Sequence, residues 1–441
     1  MLDRSRSWRR IGSELAIVAI GQCAAAFGSL VGVRVLTGAL TPAVFGELAL
    51  ALTGSTLVFQ VVLAPLGTAA LRFFAQAQQT GRLHSYLRAL RTMIIWATIV
   101  VCIAGVIVGV ATAVSLSSAR WTPLVAATLA FSLFSGMSAV VGGMQNAARQ
   151  RGIVALHDGA GSWLRFLFAL LFIQIIGGVS FAAMAGYGLA AAAVLTSQYV
   201  FFRHHIAANA IETNGSNPRW SADMLAYAAP FAGWGVFTWA QMISDRWALE
   251  VFSTSAEVGK YAAAYSLGFF PVLMMSNVLV QLAAPVLFER AGDASDAGRL
   301  AASFRANARI LLLVLGLTVV LTATVAVIHP LIARLLLAPA YRGASSLLPW
   351  LVLSGGLFAT GQIAALFFMI AHDSKSLAVP KIVTATGGAL LNFVAAHIDG
   401  VRGVIFAGLL FSAIFCIWVC AAAAVRFKHA FSPAASAEEI A

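Results

Sequence analysis

Long apolar runs, each about as long as a bilayer is thick, follow one another along the chain, separated by short stretches rich in arginine. A hydrocarbon core of about 30 Å takes roughly 20 apolar residues in an α-helix. Twelve runs reach that length: Leu15–Leu36, Phe45–Leu66, Met93–Leu116, Val125–Met144, Asp158–Ile176, Phe181–Phe202, Met224–Ile243, Tyr261–Leu287, Ile310–Ile328, Leu348–Ala371, Ala378–Ala396 and Val404–Val425. The fifth is the weakest, because it contains Arg165. The pattern predicts an all-α integral membrane protein with twelve transmembrane helices. Connecting segments stay at or below about 25 residues, so no extramembrane catalytic domain is expected.

Composition makes the membrane reading firmer. The 441 residues are 61% hydrophobic and 10% charged, whereas a soluble domain is about one-quarter charged. That deficit excludes a cytosolic enzyme, a secreted domain and a disordered chain. The charge is lopsided, 28 Lys+Arg against 16 Asp+Glu for a net +12. In a soluble protein this would suggest nucleic acid. Here the cations fall in short loops, where they set orientation in the bilayer and no nucleic acid is implied. With an inside N-terminus, 20 of the 28 lie in the tails and even-to-odd loops (Lys381, at the edge of the eleventh run, being counted with its loop), 6 lie opposite, and Arg34 and Arg165 lie deeper within spans. Both termini are therefore expected on the cytoplasmic side of the membrane. The N-terminus superficially resembles a signal peptide, with Arg9-Arg10 resembling a twin-arginine signal, but its apolar run is too long, and it reads as an uncleaved first helix. Asn214-Gly215-Ser216 matches a glycosylation sequon on the cytoplasmic side, where it has no meaning. Cys23, Cys102, Cys416 and Cys420 lie inside apolar runs and read as small buried hydrophobes, so neither a metal site nor a cofactor is expected.

The polar stretch Ile211–Arg219 divides the spans six and six. The expected organisation is a lobe over 1–210, a cytoplasmic linker over 211–222, a second lobe over 223–425 and a tail over 426–441. The halves repeat one another. Arg82-Leu83 with Arg88-Ala89 enters the third span, and Arg299-Leu300 with Arg305-Ala306 enters the ninth with the same internal spacing. Pro65 and Pro285 close spans two and eight. Arg34 precedes Phe45-Gly46-Glu47-Leu48-Ala49, as Arg246 precedes Val258-Gly259-Lys260-Tyr261-Ala262. Six spans per half keep both halves in one orientation. The repeat is thus parallel, about an axis along the membrane normal, and a substrate cleft is expected between the halves.

Arg34–Ala49 (RVLTGALTPAVFGELA) resembles the R-x-L-x-P-x-x-F/Y-G-x-x-A opening of Wzx-type polysaccharide flippases, and Leu335–Pro349 (LLLAPAYRGASSLLP) is similar to that family's stretch between spans nine and ten. These flippases belong to the multidrug/oligosaccharidyl-lipid/polysaccharide exporter superfamily. The resemblance implies a V-shaped pair of six-helix lobes with alternating access. It also implies an undecaprenyl-pyrophosphate-linked oligosaccharide as substrate, turned from the cytoplasmic to the periplasmic leaflet, with membrane lipids and a polysaccharide polymerase as partners. A diphosphate and sugar cannot cross hydrocarbon unaided, since each unpaired polar group costs several kcal/mol. The alternative is a cation-coupled multidrug or metabolite antiporter. A polymerase or ligase would need a long periplasmic loop, which this chain lacks.

Arg34 and Arg246, at equivalent places in the repeat, are the leading substrate contacts, because the guanidinium fork suits a pyrophosphate; the alternative is that both snorkel to head groups. Arg165 is a third, unless it pairs with Asp158 or snorkels. Asp245 binds a coupling cation or neutralises Arg246. Glu47 and Lys260, at one repeat position with opposite charge, form an expected outer gate. Trp234, Trp239, Tyr261 and Tyr265 stack on sugar rings or pack. Pro230 and Pro271 are expected kinks, and His372-Asp373 and His397–Asp399 read as solvated loop residues. The lipid II flippase branch has arginines at the middle of span one and in span eight, where this chain has Gly21-Gln22-Cys23 and Tyr265-Ser266. The drug-extruding branch often buries an acid in span one, where only Glu14 stands at the edge.

Overall fold

The computed structural model describes residues 2–115, 121–148, 150–205, 219–292, 296–371 and 373–430. The linker stretch 211–218, His372 and the tail beyond 430 lie outside them. Among the described residues every regular element is helical: α1 (Leu2–Ala39), α2 (Pro42–Val58), a π-helical turn (Phe59–Leu63), α3 (Ala64–Gln79), α4 (Leu83–Ser115), α5 (Thr122–Ala147), α6 (Arg151–Ile176), α7 (Ser180–His205), α8 (Trp220–Phe252), α9 (Ser255–Ala291), α10 (Ala297–Leu336), a 3₁₀ segment (Pro339–Leu347), α11 (Leu348–Ile370), a short 3₁₀ turn (Ser374–Leu377) and α12 (Ala378–Ala430).

Among the described residues, ten helical rods are long and apolar enough to cross a membrane, against the twelve expected. The difference arises at two places. α8 dilutes its apolar residues with Tyr227, Pro230, Gly233, Trp234, Gly235 and Trp239. α12 runs as one element of 53 residues, but Asp399 and Gly400 leave helical geometry, with Gly400 at φ 51°. Divided there, α12 covers the eleventh and twelfth expected spans. A Cβ on Gly403 would lie 2.0 Å from the Ala395 carbonyl oxygen, so the chain folds tightly back across this break.

Helix starts are set by caps. Thr41 accepts a hydrogen bond from the Val44 amide at 3.5 Å, and Thr254 accepts one from Glu257 at 3.3 Å. The two threonines hold equivalent places in the repeat, and the rods they open end at Gly81 and Gly292, both left-handed (φ 65° and 67°). The repeat is thus built into helix starts and stops. Pro65 and Pro285 lie farther apart than the two threonines do and fall outside this register. Pro65 acts locally instead. It has no N–H to give Val61, and the Ala64 amide reaches back five residues to Phe59, opening the π turn. Arg299 closes α9 by donating from Nε to the Arg290 carbonyl and from Nη2 to the Glu289 carbonyl, both at 3.0 Å. Thr41→Ala and Thr254→Ala are each expected to cost about 1 kcal/mol, read as a lower unfolding temperature in detergent; unchanged melting of both would remove the caps from the account.

The chain divides into two compact units, Met1–Trp239 and Ala240–Ala441. The division falls inside α8. In the first unit, α1 lies on α6 through glycines: Gly21 faces Ala155, Gly28 faces Trp163 and Gly32 faces Phe166. Small residues let helix backbones approach where apolar lipid offers no hydrophobic drive to pack. The start of α8 joins the α3–α4 hairpin, where Trp220 packs with Leu66, Phe74, Tyr86 and Met144. Trp220 Nε1 donates to Ser85 Oγ at 3.3 Å, and Tyr86 Oη donates to the Ala70 carbonyl at 2.7 Å. Further along, α8 crosses the π turn. A Cβ at Gly235 would lie 2.1 Å from the Gln60 carbonyl oxygen, whereas one at Gly233 would meet nothing within 4 Å. One turn on, Trp239 Nε1 donates to the Thr53 carbonyl at 2.9 Å.

The second unit is organised around α11, most of whose residues are buried. Gly355 admits the α9 backbone at Phe269, Gly356 admits Thr318 of α10, and Gly361 admits Phe415 of α12. Polar contacts pin α11 in place: Asn307 Nδ2 donates to the Ile363 carbonyl at 3.1 Å, and the Ser354 and Ser412 hydroxyls lie 3.0 Å apart.

Candidate functional site

The densest polar constellation among the expected site residues lies in the second unit, where α8 meets α9. Asp245 and Arg246 are consecutive on α8, so their side chains ordinarily diverge. Here Arg246 folds back. Its Nη1 lies 3.3 Å from Asp245 Oδ1, which also accepts the Arg246 amide at 2.7 Å. The guanidinium centre stands 4.3 Å from the ring centre of Tyr265, a cation–π contact. Tyr261, one turn before Tyr265 on α9, donates from Oη to Asp245 Oδ2 at 2.7 Å. The side chains of Asp245 and Arg246 are only 10% and 12% exposed. Tyr265 continues into an aromatic stack with Phe269, centroids 4.6 Å apart and planes within 19°.

Beside this group opens a crevice lined by Gln241, Asp245, Tyr261, Tyr265, Ser354 and Asn392, among others. Asn392 Nδ2 donates to Ser244 Oγ at 2.9 Å. Asn392 Oδ1 and Gln241 Nε2 are buried without a protein partner. The void is about 40 Å³; one water takes roughly 10–15 Å³ on this measure. It has room for a few waters and is too small for a sugar. Asn392 was not singled out from sequence, although one amide inside the apolar run Ala378–Ala396 is a usable signal.

The other expected residues are placed differently. Arg34 lies on the last turns of α1, half-buried, and its guanidinium makes no ion pair or hydrogen bond with the described residues; its backbone carbonyl accepts from the Thr37 hydroxyl. The repeat-related arginines therefore differ: Arg246 follows Asp245 and is neutralised, whereas Arg34 follows Val33 and is not. Arg165 is exposed, 5.7 Å from the ring centre of Phe131, and no ion pair joins it to Asp158. Glu47 accepts a hydrogen bond from Ser180 Oγ at 2.7 Å, and Lys260 pairs with Glu257 at 2.9 Å on its own helix. Trp239 is held by its indole bond to Thr53, and Tyr261 by Asp245, so both have structural partners. Asp373, expected to be solvated, pairs with Arg426 and accepts from Ser376 Oγ at 2.6 Å, tying the turn before α12 to the end of α12. His397 stands edge-on to Phe252, centroids 5.0 Å apart. All four cysteines are free, and among the described residues no three His, Cys, Asp or Glu come together as metal ligands would.

The sequence profile of a family described as "Polysaccharide biosynthesis protein" matches residues 11–290. No curated protein matches the sequence. The fold is shared with solved transporters. An inward-facing multidrug resistance MATE family transporter of the MOP superfamily aligns over 93% of this chain and 96% of its own, with 14% identity and a TM-score of 0.70. The lipid II flippase MurJ, in an inward closed conformation, aligns over 92% of this chain and 86% of its own, with 12% identity and a TM-score of 0.69. The chain belongs to the polysaccharide biosynthesis protein family and is a multi-pass membrane protein with a MATE- and MurJ-like transporter fold.

Proposed function

We propose that this protein is a flippase, not an enzyme, that turns an undecaprenyl-pyrophosphate-linked oligosaccharide from the cytoplasmic to the periplasmic leaflet of a bacterial inner membrane, for O-antigen, capsule or exopolysaccharide assembly. The observation that carries this reading is membership of a polysaccharide biosynthesis family by a chain whose fold is that of transporters. Charge supports it. Arg34 keeps its donors uncommitted among the described residues, and the cargo's pyrophosphate is an anion that a guanidinium fork grips in two places. Arg246 and Arg165 are assigned to the same head group, with Asp245 and Tyr265 shaping the surroundings of Arg246. The termini are placed in the cytoplasm on the arginine distribution, with a polysaccharide polymerase taking the flipped product.

The antiporter reading is favoured by the likeness to the multidrug transporter. Against it, the Asp245 carboxylate is already engaged by Arg246 and Tyr261, which leaves it poorly suited to a cationic drug. Mass spectrometry of polyprenyl-linked lipids in a deletion strain separates the two. One complete repeat unit on undecaprenyl pyrophosphate should accumulate, cured by the wild type and not by Arg34→Ala. An unchanged lipid pool with altered tolerance of cationic toxins would replace the flippase by the antiporter. The gate assigned to Glu47 and Lys260 has its own test: each single charge reversal should abolish flipping and the double reversal should restore it, and absence of rescue would end that assignment.

A further inference from the structure

The group around Arg246 contains a deeply buried tyrosine, Tyr261. Tyr261 is 3% exposed, too buried to stack on a sugar. Its hydroxyl is directed at the one carboxylate oxygen, Oδ2, that Arg246 does not use. The contacts run in sequence: Tyr261 Oη to Asp245 Oδ2 at 2.7 Å, Asp245 Oδ1 to Arg246 Nη1 at 3.3 Å, and the Arg246 guanidinium over Tyr265 at 4.3 Å. Arg246 is also tied to its own helix, donating from Nη1 to the Met242 carbonyl at 3.4 Å. The bonds to Asp245 and Met242 both come from Nη1, a further side-chain hydrogen bond joins the guanidinium to Tyr265, and the fork has five N–H donors in all. The clasp therefore fixes the direction of the guanidinium while leaving donors for an anion. An adjacent aspartate alone would not do this, because neighbours on a helix point about 100° apart. The carboxylate has to be held over toward Arg246: the Arg246 amide holds Oδ1, and the phenol, reaching across from α9, holds Oδ2.

We propose that Tyr261 is a positioning residue for recognition of the cargo's diphosphate: it orients Asp245, and Asp245 orients Arg246. The inference rests on the assignment of Arg246 to that head group. It accounts for a tyrosine buried where phenylalanine would otherwise pack as well, and for an aspartate beside an arginine meant to hold an anion.

The test uses the full-length protein in lipid nanodiscs and two readouts. The first is the rate of phenylglyoxal labelling of Arg246, followed by peptide mass spectrometry, with Arg342 of the same unit as control. Tyr261→Phe should speed labelling of Arg246 about fivefold, the factor for one net hydrogen bond, and leave Arg342 unchanged. In an Asp245→Asn background the same substitution should add nothing, since coupled residues are not additive. Wild-type labelling in Tyr261→Phe, or equal acceleration at Arg342, would overturn the proposal; the second result would mark a loosened fold.

The second readout is binding of fluorescent undecaprenyl pyrophosphate. Tyr261→Phe should weaken it about fivefold by the same arithmetic. Tighter binding in Tyr261→Phe or Asp245→Asn would also overturn the proposal, because Asp245 would then be competing with the anion. If Arg246→Ala binds the probe like the wild type, the assignment of Arg246 to the head group fails. The recognition role of Tyr261 then fails with it, whatever labelling says of the clasp.

Discussion

Gly235→Ala is expected to remove most of the protein's stability, while Gly233→Ala, two residues earlier on the same helix, leaves it unchanged. The added methyl at 235 would sit 2.1 Å from the carbonyl oxygen of Gln60 and 2.7 Å from its carbonyl carbon. Those are backbone atoms, which cannot swing aside as a side chain would. Overpacking a core by a methylene or two costs about 1–3 kcal/mol when side chains can adjust. Here α8 must shift bodily from the π turn, and the Trp239–Thr53 bond one turn on goes with it. The check is a thermal melt of both variants in detergent, with yield of monodisperse protein as a second readout. Equal melting of the two would show that α8 does not cross the second rod this closely.

Asp245→Ala comes next in size. Its loss would leave a guanidinium only 12% exposed without its counter-charge. Breaking a buried ion pair from one side costs about 3–5 kcal/mol, because the remaining charge stays desolvated. Removing both charges should cost much less, so Asp245→Asn combined with Arg246→Gln is expected to melt close to the wild type. That double variant is nonetheless expected to lose most of its transport, since the diphosphate then loses one of the three arginines assigned to it. Stability and activity would thus separate in one pair of variants. Asp245→Ala melting like the wild type would mean that the pair is not buried in the working protein.

Much of the fold was legible because hydropathy and helix length are nearly the same statement in a bilayer. The ends of the rods were not. Apolarity placed the start of the second span at Phe45 and of the eighth at Tyr261, but the helices begin at Pro42 and Ser255, where Thr41 and Thr254 cap free amides. The arginine–leucine pattern around Arg82 and Arg299 did mark the repeat, yet Arg299 works as a cap on α9, a use that charge counting does not reveal. In the site, Asp245 and Arg246 could be paired on paper because they are adjacent. Tyr261 could not: it lies 16 residues on, across the α8–α9 turn, and only packing brings its hydroxyl to the carboxylate. Asp373 and Arg426 were read apart for the same reason, since they stand at opposite ends of the long α12 element.

The π turn at Phe59–Leu63 has a geometric meaning for the repeat. The stretch from Thr41 to Gly81 is slightly longer than that from Thr254 to Gly292, so equivalent rods with matching starts and stops hold different numbers of residues. In a regular α-helix one surplus residue rotates everything after it by about 100°. The wide turn takes up one of the two surplus residues as slack, and beyond it Ala70 and Phe74 lie in the cluster with Tyr86 and Trp220. Phe59–Leu63 is thus a phase adjuster: deleting one residue there would hardly shorten the rod, but it would turn Phe74 away from its neighbours.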